Sequence, residues 1–411
     1  MKVYHGKKVH DGRKFVDDLY IGVEDKQIVY VGREKPEGEF VGSFPFITPA
    51  FIDAHSHIGM DRAGEPFDEG EANDISDIFT PLLNPLNSVY FDDHALKEAV
   101  QFGVLYSCII PGSGNVFGGR AIVIRNFAGS RESGFFKDYG FKMALGYNPR
   151  STLQWRGTRF NTRMGVYAHL EAKFEEVRRK AKKISIQKKK ELDEIERKYR
   201  KGEMDTFEYV EKKRQTEELY DLEFNDVERA ILELLERKKV AKVHVHKADD
   251  VLYLIELVKR FGFKATADHL GDVHEIEIFR ALKNAGINAV YGPLDSFPYK
   301  VELKHERLYN VKLLMDSGLF FGLMTDHPVI LAKLLFITLR NFLYFGMSEE
   351  EALSIITYRN AKILEIDDKV GTIEKGKLAS IILWKDDPFR LASRPEMVVA
   401  EGKEIKWEDL L

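Results

Sequence analysis

The sequence predicts a (β/α)8 barrel, of the TIM type, carrying a small β-sandwich domain assembled from both chain ends and a helical insertion. Three observations predict it. Short apolar strands alternate with amphipathic helices through the middle of the chain; the first and last forty or so residues instead alternate apolar and polar side chains between Gly and Asp turns; and a densely charged helical stretch interrupts the rhythm once.

The β domain comes first. "KVYHG", "DLYIGVE" and "KQIVYVG" near the N-terminus, and "GTIEKGKLASIILWKDD" with "EMVVAEGKEI" near the C-terminus, read as strands with one wet face. Neither set can bury a face alone, so the two ends are expected to pair, giving residues 1–47 and 364–411 as two parts of one domain. Residues 48–363 form the barrel. In it "VLYSCII", "KVAKVHVH", "FKATADHL", "NAVYG" and "LFFGLMTD" read as strands, and the helices between them repeatedly end at Gly. That rhythm predicts a parallel sheet of βα units, and the lack of a glycine fingerprint after the first strand favours a barrel over an open dinucleotide-binding sheet. "VILAKLLFITLRNFLYFGM" carries Lys333 and Arg340 and reads as a buried amphipathic helix, not a membrane span.

The insertion covers about 165–239. Leu170, Phe174, Val177, Ala181 and Ile184 mark one helix, a break falls at Gly202, and Asp205 with Glu208 and Asn225 with Glu228 read as caps of two further helices. A solvated arm is the plain reading; a lid or subunit contact is the sharper one.

Composition bounds the function. The chain has 411 residues, a formal charge of −4 and both signs interspersed, so neither nucleic acid nor a membrane is expected as a partner. A single cysteine, Cys108, and no apolar leader-like run at the N-terminus lead to the expectation of a cytoplasmic protein, a homo-oligomer acting on a small molecule.

The chemistry-bearing residues sit at strand ends. His55 and His57 in "TPAFIDAHSHIGM" project to one side of a strand, as two neutral imidazoles would for a divalent ion such as zinc. Lys142, His244, His269 and Asp326 close four later strands, and barrel strands bring those ends to one mouth. His246 shares a face with His244, so spacing alone leaves the choice between them open, with motif position favouring His244. His327 reads as structural, and His169 and His274 as surface or helix-start residues. The Gly-rich "PGSGNVFGGR" of residues 111–120 lacks a phosphate-loop ending and reads as a tight loop at the mouth, with Asn115 and Arg120 as polar contacts. Arg150, Arg156, Arg159 and Arg163 offer grips for a substrate carboxylate, with a solvated loop as the plainer account.

Together "PAFIDAHSH", "PGSGNVFGG", "HVHKADD", "ADHLGD", "MTDHPV" and the tail "AKILEIDDKVGTIEKGKLASIILWKDDP" resemble the amidohydrolase superfamily of metal-dependent hydrolases, the tail resembling the branch that includes imidazolonepropionase. The resemblance implies that His55, His57 and Asp326 ligate a first ion, with His244 and His269 as ligands from the fifth and sixth strands. It implies that Lys142 takes the place of a carbamylated lysine bridging two ions, an unmodified lysine beside one ion being the alternative. It further implies that Asp326 moves the proton of the attacking water and that His269 or the metal polarises the carbonyl. Deaminases of the family place a Glu where this chain has Lys247, and imidazolonepropionases read His-x-Asp-Glu where it reads His244, Val245, His246, Lys247. Relatives carry Glu where Tyr147 stands and Ala-Asp where Ala379 and Ser380 stand. The expectation is therefore a metal-dependent amidohydrolase that cleaves a C–N amide bond, linear or cyclic, in a small peptide or N-acyl amino acid. An imidazolonepropionase-type cyclic amide hydrolase and an inactive barrel used for binding or assembly are the alternatives.

Overall fold

A computed structural model describes residues 1–150 and 160–410, without the side chains of residues 409 and 410. Arg156 and Arg159 lie outside the described residues.

Both chain ends enter one seven-stranded sheet, in the order β15-β14-β13-β4-β1-β2-β3. From the N-terminus come β1 (Lys2–His10), β2 (Phe15–Glu24), β3 (Gln27–Gly32) and β4 (Glu39–Pro49); from the C-terminus come β13 (Ile381–Trp384), β14 (Pro395–Ala400) and β15 (Lys403–Lys406). The two ends are stitched together where β4 pairs antiparallel with β13, Ile47 opposite Leu383. The sheet folds back on itself, because backbone bonds Ile28–Lys377 and Ala379–Lys26 tie β3 and its turn to the strand entering β13. This encloses a core of its own, with Tyr4, Val9, Ile21, Ile47, Ile381 and Val399. Alternation is what lets one sheet bury a face while wetting the other. Ser380 joins this domain to the barrel through a 2.7 Å bond with the Tyr106 hydroxyl.

The second sheet runs in chain order: β5 (Phe51–Ser56), β6 (Val104–Ile109), β7 (Phe117–Arg125), β8 (Phe135–Ala144), β9 (Val240–Val245), β10 (Lys264–His269), β11 (Asn288–Tyr291) and β12 (Phe321–Leu323). Strands such as β5, β6 and β9 are buried at every residue because both faces are covered, side chains filling the inside and helices the outside. Its edges meet without a regular ladder. The Asp326 amide donates to the His55 carbonyl at 3.1 Å, and the Asn360 side chain fills the seam, donating to the Ile52 and Leu323 carbonyls while accepting the Leu323 amide. Gly322 makes room for it: a Cβ there would lie 1.9 Å from Asn360 Oδ1.

The structure departs from the expected all-parallel pattern at one strand. β7 runs antiparallel to both β6 and β8. The second half of the Gly-rich segment is thus the start of a strand, the first half being the turn that reverses the chain. Glycine is needed at two points here: a Cβ on Gly112 in the turn would lie 2.2 Å from Asn73 Nδ2, and Gly119 within β7 holds φ +125°. The apolar segment at 329–347 also differs: it forms short 3₁₀ turns at Ala332–Leu334 and Ile337–Leu339, then the short helix Arg340–Leu343. A nearly continuous apolar run has no period to separate these from one long helix.

The insertion is helical at Arg163–Arg200, Thr206–Leu222 and Asp226–Leu235. Leu170, Phe174 and Val177 bury the base of the first helix in the barrel core. Gly202 at φ +72° marks the break, Asp205 caps the second helix, and Asn225 with Glu228 forms a reciprocal capping box on the third. No described helix is long and apolar enough to cross a membrane.

Candidate functional site

The expected site residues gather at the C-terminal ends of the barrel strands. His55 lies near the end of β5, Lys142 near that of β8, His244 near that of β9, His269 ends β10, and Asp326 follows β12. His269 at φ +82° and Asp326 at φ +52° hold left-handed backbone that L residues rarely adopt, so the strand ends are bent to aim these side chains.

One group comprises His55, His57 and Asp326, whose donor atoms converge. Asp326 Oδ1 is 3.2 Å from both His55 Nε2 and His57 Nε2, and Lys142 Nζ lies 3.3 Å from His55 Nε2. A second comprises His244, His246 and His269. The two abut, since the His55 and His269 rings are 4.8 Å apart and those of His244 and His269 4.3 Å.

The outer nitrogens settle which tautomers are present. His55 Nδ1 faces the Asp268 carboxylate at 2.8 Å, His57 Nδ1 the Ile110 carbonyl at 2.7 Å, and His269 Nδ1 the Gly292 carbonyl at 3.1 Å. These partners only accept, so each Nδ1 carries the proton and each Nε2 turns a lone pair inward. The buried Nε2 of His269 has no hydrogen-bond partner among the described residues. Three imidazoles with inward lone pairs beside a carboxylate fit a divalent transition ion.

Burial and charge support that state. Burial pushes the His55 and His269 imidazoles down, His269 well below the usual range, so they stay neutral. Burial would raise the Asp326 carboxyl, but its closeness to the His269, His55 and His57 imidazoles outweighs it and holds Asp326 well below the usual range. Burial also lowers the Lys142 amine to about 8, against the pull of Asp268 and Asp326.

Several residues that serve this site escaped the reading of the sequence. Asp268 takes Thr266 Oγ1 at 2.6 Å and pairs with Lys242 at 2.9 Å while holding His55. Asp53 accepts the Thr325 amide and hydroxyl, which ties β5 to the segment carrying Asp326. Glu302, from the segment after β11, lies 3.1 Å from His244 Nε2. Period two offered a signal for some of them: Asp53, His55 and His57 share one face, as do Lys242, His244 and His246. Glu302 belongs to no periodic segment.

Other expected contacts are engaged elsewhere. Asn115 donates to the Asp74 carbonyl and Thr80 hydroxyl, and Arg120 pairs with Asp138 at 2.6 Å, so both brace loops and strands. Arg163 pairs with Asp250 at 2.7 Å, and Arg150 stacks over the Tyr147 ring. Lys247 reaches Asp272 at 3.5 Å, where Asp272, His274 and His305 form a further cluster at the mouth. His327 accepts the Ala332 amide, a structural role as expected.

Comparison with known proteins agrees with this architecture. Residues 162–405 match the amidohydrolase family, and the chain belongs to it. The crystal structure of an amidohydrolase from Thermotoga maritima superposes with a TM-score of 0.83 at 30% identity, covering 98% of this chain and 99% of that one. The amidohydrolase tasK of Hapsidospora irregularis is 25% identical over 370 residues, 87% of this chain but 36% of that protein, so the chain spans about a third of its length. Imidazolonepropionase from Legionella pneumophila (strain Corby) is 32% identical over 87 residues, 20% of this chain and 21% of that one. The chain thus combines membership of the amidohydrolase family with a TIM-like barrel.

Proposed function

We propose that this protein is a metal-dependent hydrolase of C–N amide bonds in small molecules, among them linear or cyclic amides, small peptides and N-acyl amino acids. One observation carries the reading: two groups of ionisable donors, His55–His57–Asp326 and His244–His246–His269, meet where barrel strands end, with Lys142 against His55.

The residues that would hold metal are His55, His57 and Asp326 for one ion, and His244 and His269 for a second, with Lys142 as the bridging position when carbamylated. The imidazole-rich donor set favours zinc. When bound, the metal supplies Lewis acidity that brings the pKa of water toward neutrality.

The chain's own residues do the rest. Asp268 and the Ile110 and Gly292 carbonyls fix the tautomers of His55, His57 and His269. Asp326, ionised and nearly closed off from solvent, is placed to take the proton of the attacking water and pass it to the leaving nitrogen. His269, with its Nε2 lone pair turned inward, completes the second donor set and leaves polarisation of the carbonyl to the metal.

A cyclic amide as substrate draws support from the short similarity to imidazolonepropionase. At the fifth strand this chain departs from that pattern, since Lys247 is paired with Asp272.

The test is metal analysis of purified protein together with hydrolysis of a panel of small amides. Bound zinc or a similar ion and turnover that a chelator removes are expected. Protein that takes up no ion and stays inactive after addition of zinc or manganese with bicarbonate would instead be a binding or assembly barrel.

A further inference from the structure

We infer that Glu302 is a positioning residue: it holds the Nε2 proton of His244 and thereby turns the Nδ1 lone pair of His244 toward the metal position shared with His269. The inference rests on the metal-dependent reading above and adds to it a residue from outside the barrel strands.

The geometry has three parts. First, Glu302 Oε1 lies 3.1 Å from His244 Nε2, and both side chains are almost wholly buried. A carboxylate only accepts, so a neutral His244 carries its proton on Nε2 and its lone pair on Nδ1. Second, the buried Nδ1 of His244 has no hydrogen-bond partner among the described residues, like Nε2 of His269. The two rings are 4.3 Å apart, and one ring nitrogen from each, together with one from His246, lies within 4.8 Å of the others. Third, Glu302 is itself anchored: Lys300 Nζ sits 2.7 Å from Oε1, and the Tyr147 amide donates to Oε2 at 3.1 Å.

His244 is thus oriented through the nitrogen opposite to the one used for His55, His57 and His269, whose Nδ1 atoms face acceptors. A strand end fixes where a ring attaches, while its outer hydrogen bond decides which nitrogen faces inward. The same pattern separates His244 from His246. His246 Nε2 is 3.8 Å from Glu302, too far for a hydrogen bond, so Glu302 orients His244 alone, while the buried Nδ1 of His246, like that of His244, has no partner among the described residues.

The experiment uses the full chain as wild type, Glu302→Gln and Glu302→Leu, each stripped of metal and titrated with cobalt(II) against a chromophoric chelator. Wild type is expected to bind two ions. Glu302→Leu, which cannot accept the His244 proton, is expected to weaken one of them by roughly 10–100-fold and to leave the ion of His55, His57 and Asp326 unchanged. Glu302→Gln keeps an acceptor without the charge and should fall between the two. A purely structural role would move both ions or neither, and either result overturns the inference. If Glu302→Leu does not fold, Glu302→Gln decides alone: selective weakening of one ion supports the inference, and wild-type affinity for both overturns it. Wild-type protein that binds no ion overturns the proposed function itself.

Discussion

Lys142 and Lys242 are register partners on the neighbouring parallel strands β8 and β9, and both are wholly buried, yet only Lys242 has a carboxylate within ion-pair distance among the described residues. Lys242 is therefore paired with Asp268, while Lys142 has His55 as its neighbour and burial lowers its amine to about 8. A neutral amine is what carbamylation requires, which is why the proposed carbamylation falls on Lys142 and not on Lys242. Replacing Lys242 by Met leaves the Asp268 charge unpaired and should cost about 3–5 kcal/mol of stability. Lys142→Met should cost far less, and it should abolish any bicarbonate dependence of metal uptake. Urea unfolding of both variants in the presence of a chelator tests the contrast; equal losses would contradict it.

Asp326→Asn keeps the shape of the side chain and its backbone bond to His55 but removes the proton acceptor. Turnover should fall by about 10²–10⁴-fold with the unfolding midpoint of the metal-free protein nearly unchanged. Wild-type kcat in this variant would remove Asp326 from the proton transfer.

Asn360 satisfies three backbone groups at the seam between β12 and β5, two carbonyls and one amide. Asn360→Leu leaves all of them buried without partners, a loss expected to reach about 3 kcal/mol or more. Gly322→Ala presses on the same point from the other side and should also destabilise the barrel. Chemical denaturation compares the two variants with wild type, and an unchanged midpoint for Asn360→Leu would show that the seam is held by other means.

His10 lies far from the metal-binding groups and gives a clean pH dependence. Its Nε2 faces the Glu350 carbonyl and its Nδ1 accepts the Gly12 amide, so the folded protein holds it neutral, and burial lowers it to about 4. The unfolded chain protonates it near 6.5. Below that value the unfolded state binds the extra proton, so the stabilising contribution is complete above about pH 6.5 and is lost as pH falls toward 4. It amounts to at most about 3 kcal/mol. His10→Gln should lack this component, read as the difference between the two stability curves from pH 7 to 4. Parallel curves would refute the assignment.

What the sequence by itself determined is whatever local periodicity and end signals encode. The strand-helix rhythm from β8 onward, the joining of both ends in a β domain, and the caps at Asp205 and Asn225 were all legible there. So were His55, His57, Lys142, His244, His269 and Asp326 as polar residues at strand ends, because a barrel must bring those ends to one mouth. Strand direction and partners distant in sequence were decided only by the tertiary structure. An apolar run such as Phe117–Arg125 reads alike in either direction, so nothing local announced that β7 runs antiparallel. Asp268 holding His55, Lys242 answering Asp268 and Asn360 sealing Gly322 against β5 join residues from separate strands and helices. Such pairs exist because a buried polar group must find a partner wherever the fold brings one, and that requirement leaves no period in the sequence.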